Sequence, residues 1–157
     1  MNFDKLKKCL EENKIDINSF ANKKEIKIES LIREGKNDLR EIEEFKESGG
    51  IYIFKKADKI VYIGKAGRSH GLKDRIQKQL NCNPSNANLA KNINEKENCN
   101  CDEKIENKTI FDINYLKKYL KSNTDTLIII PIKEDDRTIS LLETILIYQY
   151  NPIYNKN

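Results

Sequence analysis

Apolar residues recur at helical spacing through the first part of the chain. Between residues 3 and 45 they stand three or four apart, with a break at Gly35, and capping or turn-forming residues at 16–19 separate the repeats. This pattern predicts amphipathic helices, and we interpret residues 1–48 as an N-terminal helical extension. Packing on the domain that follows is one role for it; binding a partner or clamping DNA is the alternative.

The pattern changes to a period of two after residues 48–50 (SGG). Two β-rich runs, 51–54 and 60–63, flank the polar sequence KKADK and predict a hairpin with its turn centred on Ala57. In that register Tyr52 lies directly opposite Tyr62, and strand alternation puts both side chains on one face. Such a pair is commonly plain packing, so its meaning depends on the residues around it.

Helical spacing returns after the hairpin and predicts helices at 71–80, 111–120 and from Asp136 or Thr138 to about Tyr150. Residues between the first two of these are rich in Asn, Lys and Glu, with few apolar anchors.

We therefore predict a polar surface insertion at about 81–109. The run 126–132 is apolar throughout and predicts a central strand. The order of elements predicts an α/β (α+β) domain over residues 49–157, with a small three-stranded sheet flanked by helices.

Composition narrows the class of protein. The 157 residues suit one domain with an attachment, and 38% hydrophobic residues suffice for a compact core. No run approaches the ~18 to 20 apolar residues of a membrane span, and the start lacks a signal-peptide pattern, so we expect no membrane partner and a cytoplasmic location. The four cysteines, whose spacing does not favour zinc, are expected to be reduced thiols: Cys9, Cys82, Cys99 and Cys101.

The charge is unevenly distributed. The whole chain has a net charge of +4, yet residues 50–81 alone carry 8 basic and 2 acidic side chains. Clustering of this kind predicts a face that binds a polyanion. A chance cluster on a solvated surface is the alternative.

Small and basic residues follow the second predicted strand. In residues 64–68 (GKAGR) glycines stand beside two cations, which lets a phosphate approach the backbone closely. On the next predicted helix Arg75 lies at the edge of the apolar stripe, where it can fold against the tyrosine face or extend to solvent. His70 lies in the same loop and could be a general base, a phosphate contact or neither.

Glu143 is the only charge between residues 139 and 150, among leucines and isoleucines. A helix this apolar is expected to be buried on most sides. Burying an unpaired carboxylate there would lower the stability of the fold by several kcal/mol. Two compensations are open: a buried arginine partner, or a divalent cation with bound waters.

Taken in order, these residues resemble the GIY-YIG nuclease superfamily over about residues 49–155. The matching elements are Gly50-Ile51-Tyr52, Tyr62-Ile63-Gly64, Leu72-x-x-Arg75, Glu143 and Asn151-Pro152-x-x-Asn155. The resemblance implies an antiparallel three-stranded sheet with flanking helices. It also implies a hydrolase that cleaves DNA, expected to be double-stranded, with one Mg²⁺ or Mn²⁺ ion per active site.

The resemblance assigns a role to each matching residue. Tyr52 and Tyr62 are the motif tyrosines, Arg75 is the phosphate arginine, Glu143 is the metal ligand, and Asn155 is the polar residue that closes the site. Lys65 stands where many members have a basic residue, and a loop that contains His70 resembles restriction-enzyme branches in which a histidine joins the site. The expected DNA-binding residues are Lys65, Arg68, Lys73, Arg75 and Lys78.

The expected mechanism follows from these roles. Tyr52 takes a proton from the attacking water, with His70 as the alternative base, while Tyr62 orients the water or Tyr52. Arg75 and Lys65 neutralise charge that develops on the phosphoryl oxygens.

Two other functions stay open: a catalytically inactive nucleic-acid-binding module that retains the fold, and a structural protein whose Glu143 pairs with Arg75. A role in restriction, in repair or in mobile-element movement is equally open.

Overall fold

A computed structural model of the chain describes residues 3–83, 86–96, 102–105, 108–111 and 113–156. Its α-helices are α1 (Phe3–Glu12), α2 (Ile28–Leu31), α3 (Gly71–Leu80), α4 (Asn88–Lys96), α5 (Ile113–Asn123) and α6 (Asp136–Tyr150). Its strands are β1 (Lys24–Lys27), β2 (Ile32–Arg33), β3 (Lys36–Asn37), β4 (Gly50–Lys56), β5 (Lys59–Ala66), β6 (Asp102–Ile105), β7 (Lys108–Phe111) and β8 (Thr126–Pro131). Two 3₁₀ helices are Ile17–Ser19 and Arg40–Phe45.

The main sheet is antiparallel, with the strand order β1-β8-β4-β5. Its two central strands, β4 and β8, are apolar and buried over residues 51–54 and 127–130, as expected for strands covered on both faces. The predicted α+β class with an antiparallel sheet flanked by helices is confirmed. The sheet has four strands, one more than predicted, because β1 pairs with the outer edge of β8.

The prediction of helices throughout residues 1–48 is wrong in part. The helix α1 forms, and the segment after it is fixed to α6, because the Tyr150 hydroxyl donates to the Ile15 carbonyl at 2.9 Å. Further on, β1 carries only one buried apolar residue, Ile26. Its sequence therefore lacks the alternation of apolar and polar residues that would predict a strand. Gly35, which suggested a helix break, shares a hairpin turn between β2 and β3 with Glu34, and both have positive φ, as a type I′ turn requires.

Strand alternation divides the sheet between two apolar clusters. One face packs against α3, α4 and α5, and its buried strand residues are Ile26, Tyr52, Phe54, Val61, Tyr62, Ala66, Leu127 and Ile129. The opposite face packs against α6, and its buried strand residues are Ile51, Ile53, Ile63, Ile128 and Ile130. The tyrosines therefore share a face with α3, and Glu143 on α6 lies on the other side of the sheet.

The helix α6 begins at the side chain of Asp135, which accepts a hydrogen bond from Thr138 N at 2.8 Å, and ends at Asn151 in the left-handed region before Pro152. The expectation that it is buried on most sides is wrong. It lies in an outer layer, so only one face is covered and Leu141 is 62% exposed. Among the described helices, none combines the length and the apolarity needed to cross a membrane.

The insertion at about 81–109 is more than a polar surface segment. Its helix α4 and the preceding residue bury Ala87, Leu89, Ala90 and Ile93 in the same cluster as α3. Burial raises the pKa of the Cys82 thiol to about 12, so this cysteine is held protonated and unreactive. Cys99 and Cys101 lie outside the described residues.

Candidate active site

A cavity of about 470 Å³ lies at the edge strand β5 and brings residues from both faces of the sheet together. Its lining residues are Tyr52, Tyr62, Gly64, Lys65, Ala66, Gly67, His70, Arg75, Lys78, Asn88 and Glu143. Most of the residues expected at a site are among them. Because β5 is an edge, Glu143 from α6 meets the tyrosines without crossing the sheet.

The hairpin brings the two tyrosines together in a register that differs from the predicted one. Tyr52 pairs with Gly64 and Phe54 pairs with Tyr62, so the tyrosines are diagonal neighbours on one face, with ring centroids 6.2 Å apart. The prediction that they directly oppose each other is wrong. The register shifts between Phe54 and Lys55, where a bulge leaves Val61 without a partner on β4.

Tyr52 is buried, and its hydroxyl oxygen is surrounded by donors. It accepts a hydrogen bond from Gln79 Nε2 at 3.0 Å. Burial raises the pKa of Tyr52, while the positive charge of Arg75 and hydrogen bonds from Gln79 and Tyr62 oppose that rise. The donors and the cation thus offset part of the cost that burial imposes on the ionised phenol.

Tyr62 has the opposite environment. Burial raises its pKa far above the ordinary value, and the neighbouring Tyr52 and the carboxylate of Glu143 raise it further. Since it supplies a hydrogen bond to Tyr52, its proton is held in place. The two tyrosines are therefore distinct, with Tyr52 the acceptor and Tyr62 the donor.

Glu143 is paired with a lysine. Its Oε2 lies 3.1 Å from Lys65 Nζ, which also donates to Ser140 Oγ at 3.0 Å. The carboxylate side chain is 20% exposed and the lysine 42%, so the pair opens on the cavity and solvent. The arginine partner considered from the sequence is replaced by Lys65, the neighbour that the edge of β5 places against α6.

The donor set at Glu143 fits a hydrated divalent ion. Mg²⁺ is commonly held by one or two carboxylates and keeps several waters, and the cavity supplies one carboxylate with space beside it. Among the residues that the structure describes, no group of three or more His, Cys, Asp or Glu could enclose a metal. An ion at Glu143 would therefore keep most of its coordination for water and substrate oxygens.

The loop before α3 carries His70 to the rim of the cavity. Its Nδ1 lies 2.9 Å from Ser69 Oγ. The next residue, Gly71, has φ +69, and a Cβ there would lie 1.8 Å from the Lys46 carbonyl oxygen, so the loop is fixed closely against the 3₁₀ helix Arg40–Phe45 and the residues after it. Lys78, two turns into α3, also lines the cavity.

Three of the expected site residues lie elsewhere. Arg68 donates from its guanidinium to the Glu134 carbonyl at 3.0 Å, and Lys73 pairs with Glu43. Asn155 completes the open edge of β5, since its Oδ1 accepts from Ile63 N at 2.8 Å and its Nδ2 donates to the Ile63 carbonyl at 2.7 Å.

Two residues of the site were not predicted from the sequence: Gln79, which bonds to Tyr52, and Asn88, which lines the cavity. Gln79 is fully buried between Ile76 and Leu80, and a polar residue on the apolar stripe of α3 was the signal that could have found it. Asn88 enters the cavity from the start of α4. The polar composition around it offered no comparable signal.

Comparisons with known proteins give similarity in fold. No protein-family model matches the chain, and no curated protein matches it. The GIY-YIG N-terminal endonuclease domain of UvrC from Thermotoga maritima is similar in structure. A point mutant bound to its catalytic divalent cation has 25% identity and a TM-score of 0.44, over 72% of this chain and 88% of that chain. The magnesium-bound form of the same domain has 25% identity and a TM-score of 0.43, over 71% of this chain and 88% of that chain.

At these TM-scores the similarity assigns no function to the chain. The order of the motif residues and the antiparallel sheet are consistent with the GIY-YIG resemblance.

Proposed function

We propose that this protein is a divalent-metal-dependent endonuclease that hydrolyses phosphodiester bonds in DNA. The observation that supports this is the convergence of two tyrosines, an arginine, a lysine and a carboxylate from β4, β5, α3 and α6 on one open cavity. A cavity with cations, a single carboxylate and a buried phenol at its base suits a phosphodiester, an attacking water and a hydrated ion.

The phosphate is bound by the cations. Arg75 and Lys65 neutralise charge on the non-bridging oxygens, and both contributions grow as the phosphorus becomes five-coordinate. Lys78 and His70 extend the positive surface along the cavity rim. Arg68 and Lys73 lie outside the cavity and bond to the Glu134 carbonyl and to Glu43, so neither contacts the cleaved phosphate.

The attacking water is activated by Tyr52. Its hydroxyl oxygen, in the ionised form, takes the proton as the water oxygen bonds to phosphorus and the bond from phosphorus to the 3′ oxygen breaks, and the departing oxygen takes a proton from solvent. Tyr62 keeps its own proton and donates to Tyr52. A Mg²⁺ or Mn²⁺ ion held by Glu143, one per site, would supply Lewis-acid stabilisation of the phosphoryl and leaving oxygens.

Double-stranded DNA is the expected substrate, and the cytoplasm is the expected location. The two cysteines that the structure describes, Cys9 and Cys82, are free thiols, which supports a reducing compartment.

Nicking of a supercoiled plasmid tests the proposal. We expect conversion to open circles with Mg²⁺ and none with a chelator. Arg75→Ala should lower the rate by about 100-fold or more, because one lost transition-state contact is worth about 3 to 4 kcal/mol. Lys73→Ala is the matched control on the same helix, and it should keep the rate because Lys73 pairs with Glu43 outside the cavity.

Absence of cleavage with every divalent ion would overturn the enzyme assignment. Salt-dependent DNA binding without cleavage would then favour the inactive binding module, and absence of both would favour a structural protein. Sequencing of the cleaved ends would distinguish restriction from repair or mobile-element roles.

A further inference from the structure

Gln79 joins the proposed base to the insertion. Its amide is fully buried in the last turns of α3. Its Oε1 accepts a hydrogen bond from Leu89 N at 3.0 Å, and its Nε2 donates to the Tyr52 hydroxyl oxygen at 3.0 Å. One side chain therefore spans the distance between β4 and the start of α4.

The orientation of this amide is fixed by chemistry. Leu89 is the second residue of α4, and backbone N–H groups in the first turn of a helix have no carbonyl partner within it. Such a group can only donate, so the amide oxygen of Gln79 must face it. The amide NH₂ must then face Tyr52, and the Tyr52 oxygen can only accept from it.

We infer that Gln79 is a positioning residue for Tyr52, and that α4 sets its orientation. This inference rests on the proposed function, in which Tyr52 takes the proton of the attacking water. A donor fixed on one side of the phenol oxygen stabilises the ionised form and, together with Tyr62, holds the oxygen in place. The insertion, which lies outside the family resemblance, thereby takes part in the active site.

Other charged or titratable groups face the same cavity from each element around Tyr52. They are Tyr62 and Lys65 from β5, His70 before α3, Arg75 and Lys78 on α3, and Glu143 on α6. All of them are present in variants at Gln79. A change in pH dependence between the protein and such a variant therefore reports on the substituted amide.

The test is Gln79→Glu. Both carboxyl forms can accept from Leu89 N, so the cap of α4 is kept. Towards Tyr52 the protonated form can still donate, whereas the ionised form can only accept. We expect a rate that rises with pH in the unaltered protein and falls in the variant as the introduced carboxyl ionises, with a difference of about 100-fold on the alkaline side.

A second variant separates positioning from folding. Gln79→Met fills a similar volume but removes both hydrogen bonds, so it should lower the melting temperature and the rate at every pH, without changing the direction of the pH profile. If Gln79 only caps α4, Gln79→Glu keeps the rate and the shape of the profile of the unaltered protein. That result would overturn the inference.

NMR of the Gln79 side-chain amide gives a readout that does not depend on cleavage. In Tyr52→Phe, which keeps the ring and removes the hydroxyl, we expect the Gln79 NH₂ resonances to shift and to exchange faster with solvent. Unchanged resonances would overturn the inference. If the unaltered protein cleaves no DNA, the proposed function fails, and these resonances alone decide whether Gln79 holds Tyr52.

Discussion

The ring of Tyr52 occupies the space that a side chain at Gly64 would need. A Cβ at Gly64 would lie 2.4 Å from both the Cζ and the hydroxyl oxygen of Tyr52. The two residues are cross-strand partners on β4 and β5. Position 64 must therefore be glycine to leave room for the ring of Tyr52. The ring passes over Gly64 towards the cavity.

Gly64→Ala should displace the Tyr52 hydroxyl. The buried ring has no room to yield, so we expect a loss of about 1 to 3 kcal/mol in the free energy of unfolding and a rate at least about 100-fold lower. Denaturant unfolding and plasmid nicking measure the two effects. Gly67→Ala is the control for stability alone, because its Cβ would meet the terminal carboxylate oxygen of Asp136 at 2.9 Å, and that side chain can move. Equal losses in the free energy of unfolding of the two variants would contradict this prediction.

Glu143→Gln should abolish metal-dependent cleavage while the fold is kept. The carboxylate is partly exposed and its partner Lys65 remains solvated, so the lost ion pair should cost only about 0 to 1 kcal/mol. Calorimetric titration with Mn²⁺ should show binding in the unaltered protein and none in the variant. Ser140→Ala, which removes the other partner of Lys65 one turn earlier on α6, should keep metal binding. A variant that fails to fold would favour a purely structural ion pair.

The pH dependence of cleavage distinguishes the two candidate bases. Because burial raises the pKa of Tyr52, its ionised fraction, and with it the rate, should grow continuously from neutral pH into the alkaline range. Tyr52→Phe should remove nearly all activity, and His70→Ala should keep much of it and the alkaline rise. A profile that levels off near neutral pH and disappears in His70→Ala would transfer the role to His70.

The raised pKa values of the two tyrosines also limit the pH range in which the folded protein is stable. The folded state keeps protons on Tyr52 and Tyr62 that the unfolded chain releases above about pH 10, so their contribution to stability is complete below that pH and declines above it. Rates are therefore best compared between about pH 7 and 10.

Asn155→Ala should affect stability more than chemistry. Two hydrogen bonds to the backbone of Ile63 are lost, which should cost about 1 to 3 kcal/mol because the edge of β5 is left partly unsatisfied. Hydrogen exchange at Ile63 N should accelerate. The cleavage rate per folded molecule should stay close to normal. A large loss of rate at full folding would restore the direct role in the site that the family resemblance implies.

The sequence predicted the parts of the site that depend on local periodicity. Alternation along the hairpin put Tyr52 and Tyr62 on one face, and the isolated charge of Glu143 on an apolar helix marked it as exceptional. Their exact pairing was not predictable, because one extra residue at Val61 shifts the register, and bulges have no simple pattern in the sequence.

Contacts between distant segments were the least predictable. The strand β1 reads Lys-Glu-Ile-Lys, and only pairing with β8 makes it a strand. The bond from Gln79 to Leu89 depends on where α4 begins, which follows from the buried residues of α4 and not from the polar composition of the insertion. Tertiary packing decides such elements, and local propensity carries little information about them.

The strand β1 covers an edge of β8 that a shorter fragment would expose. A fragment that starts at residue 49 keeps every residue of the family resemblance, yet it would leave residues 126–129 of β8 without the partners that 24–27 now provide. An apolar strand with an open edge readily recruits another strand, so we expect such fragments to join edge to edge and aggregate. The boundary that the motifs suggest therefore cuts through the main sheet, between β1 and the strands that follow it.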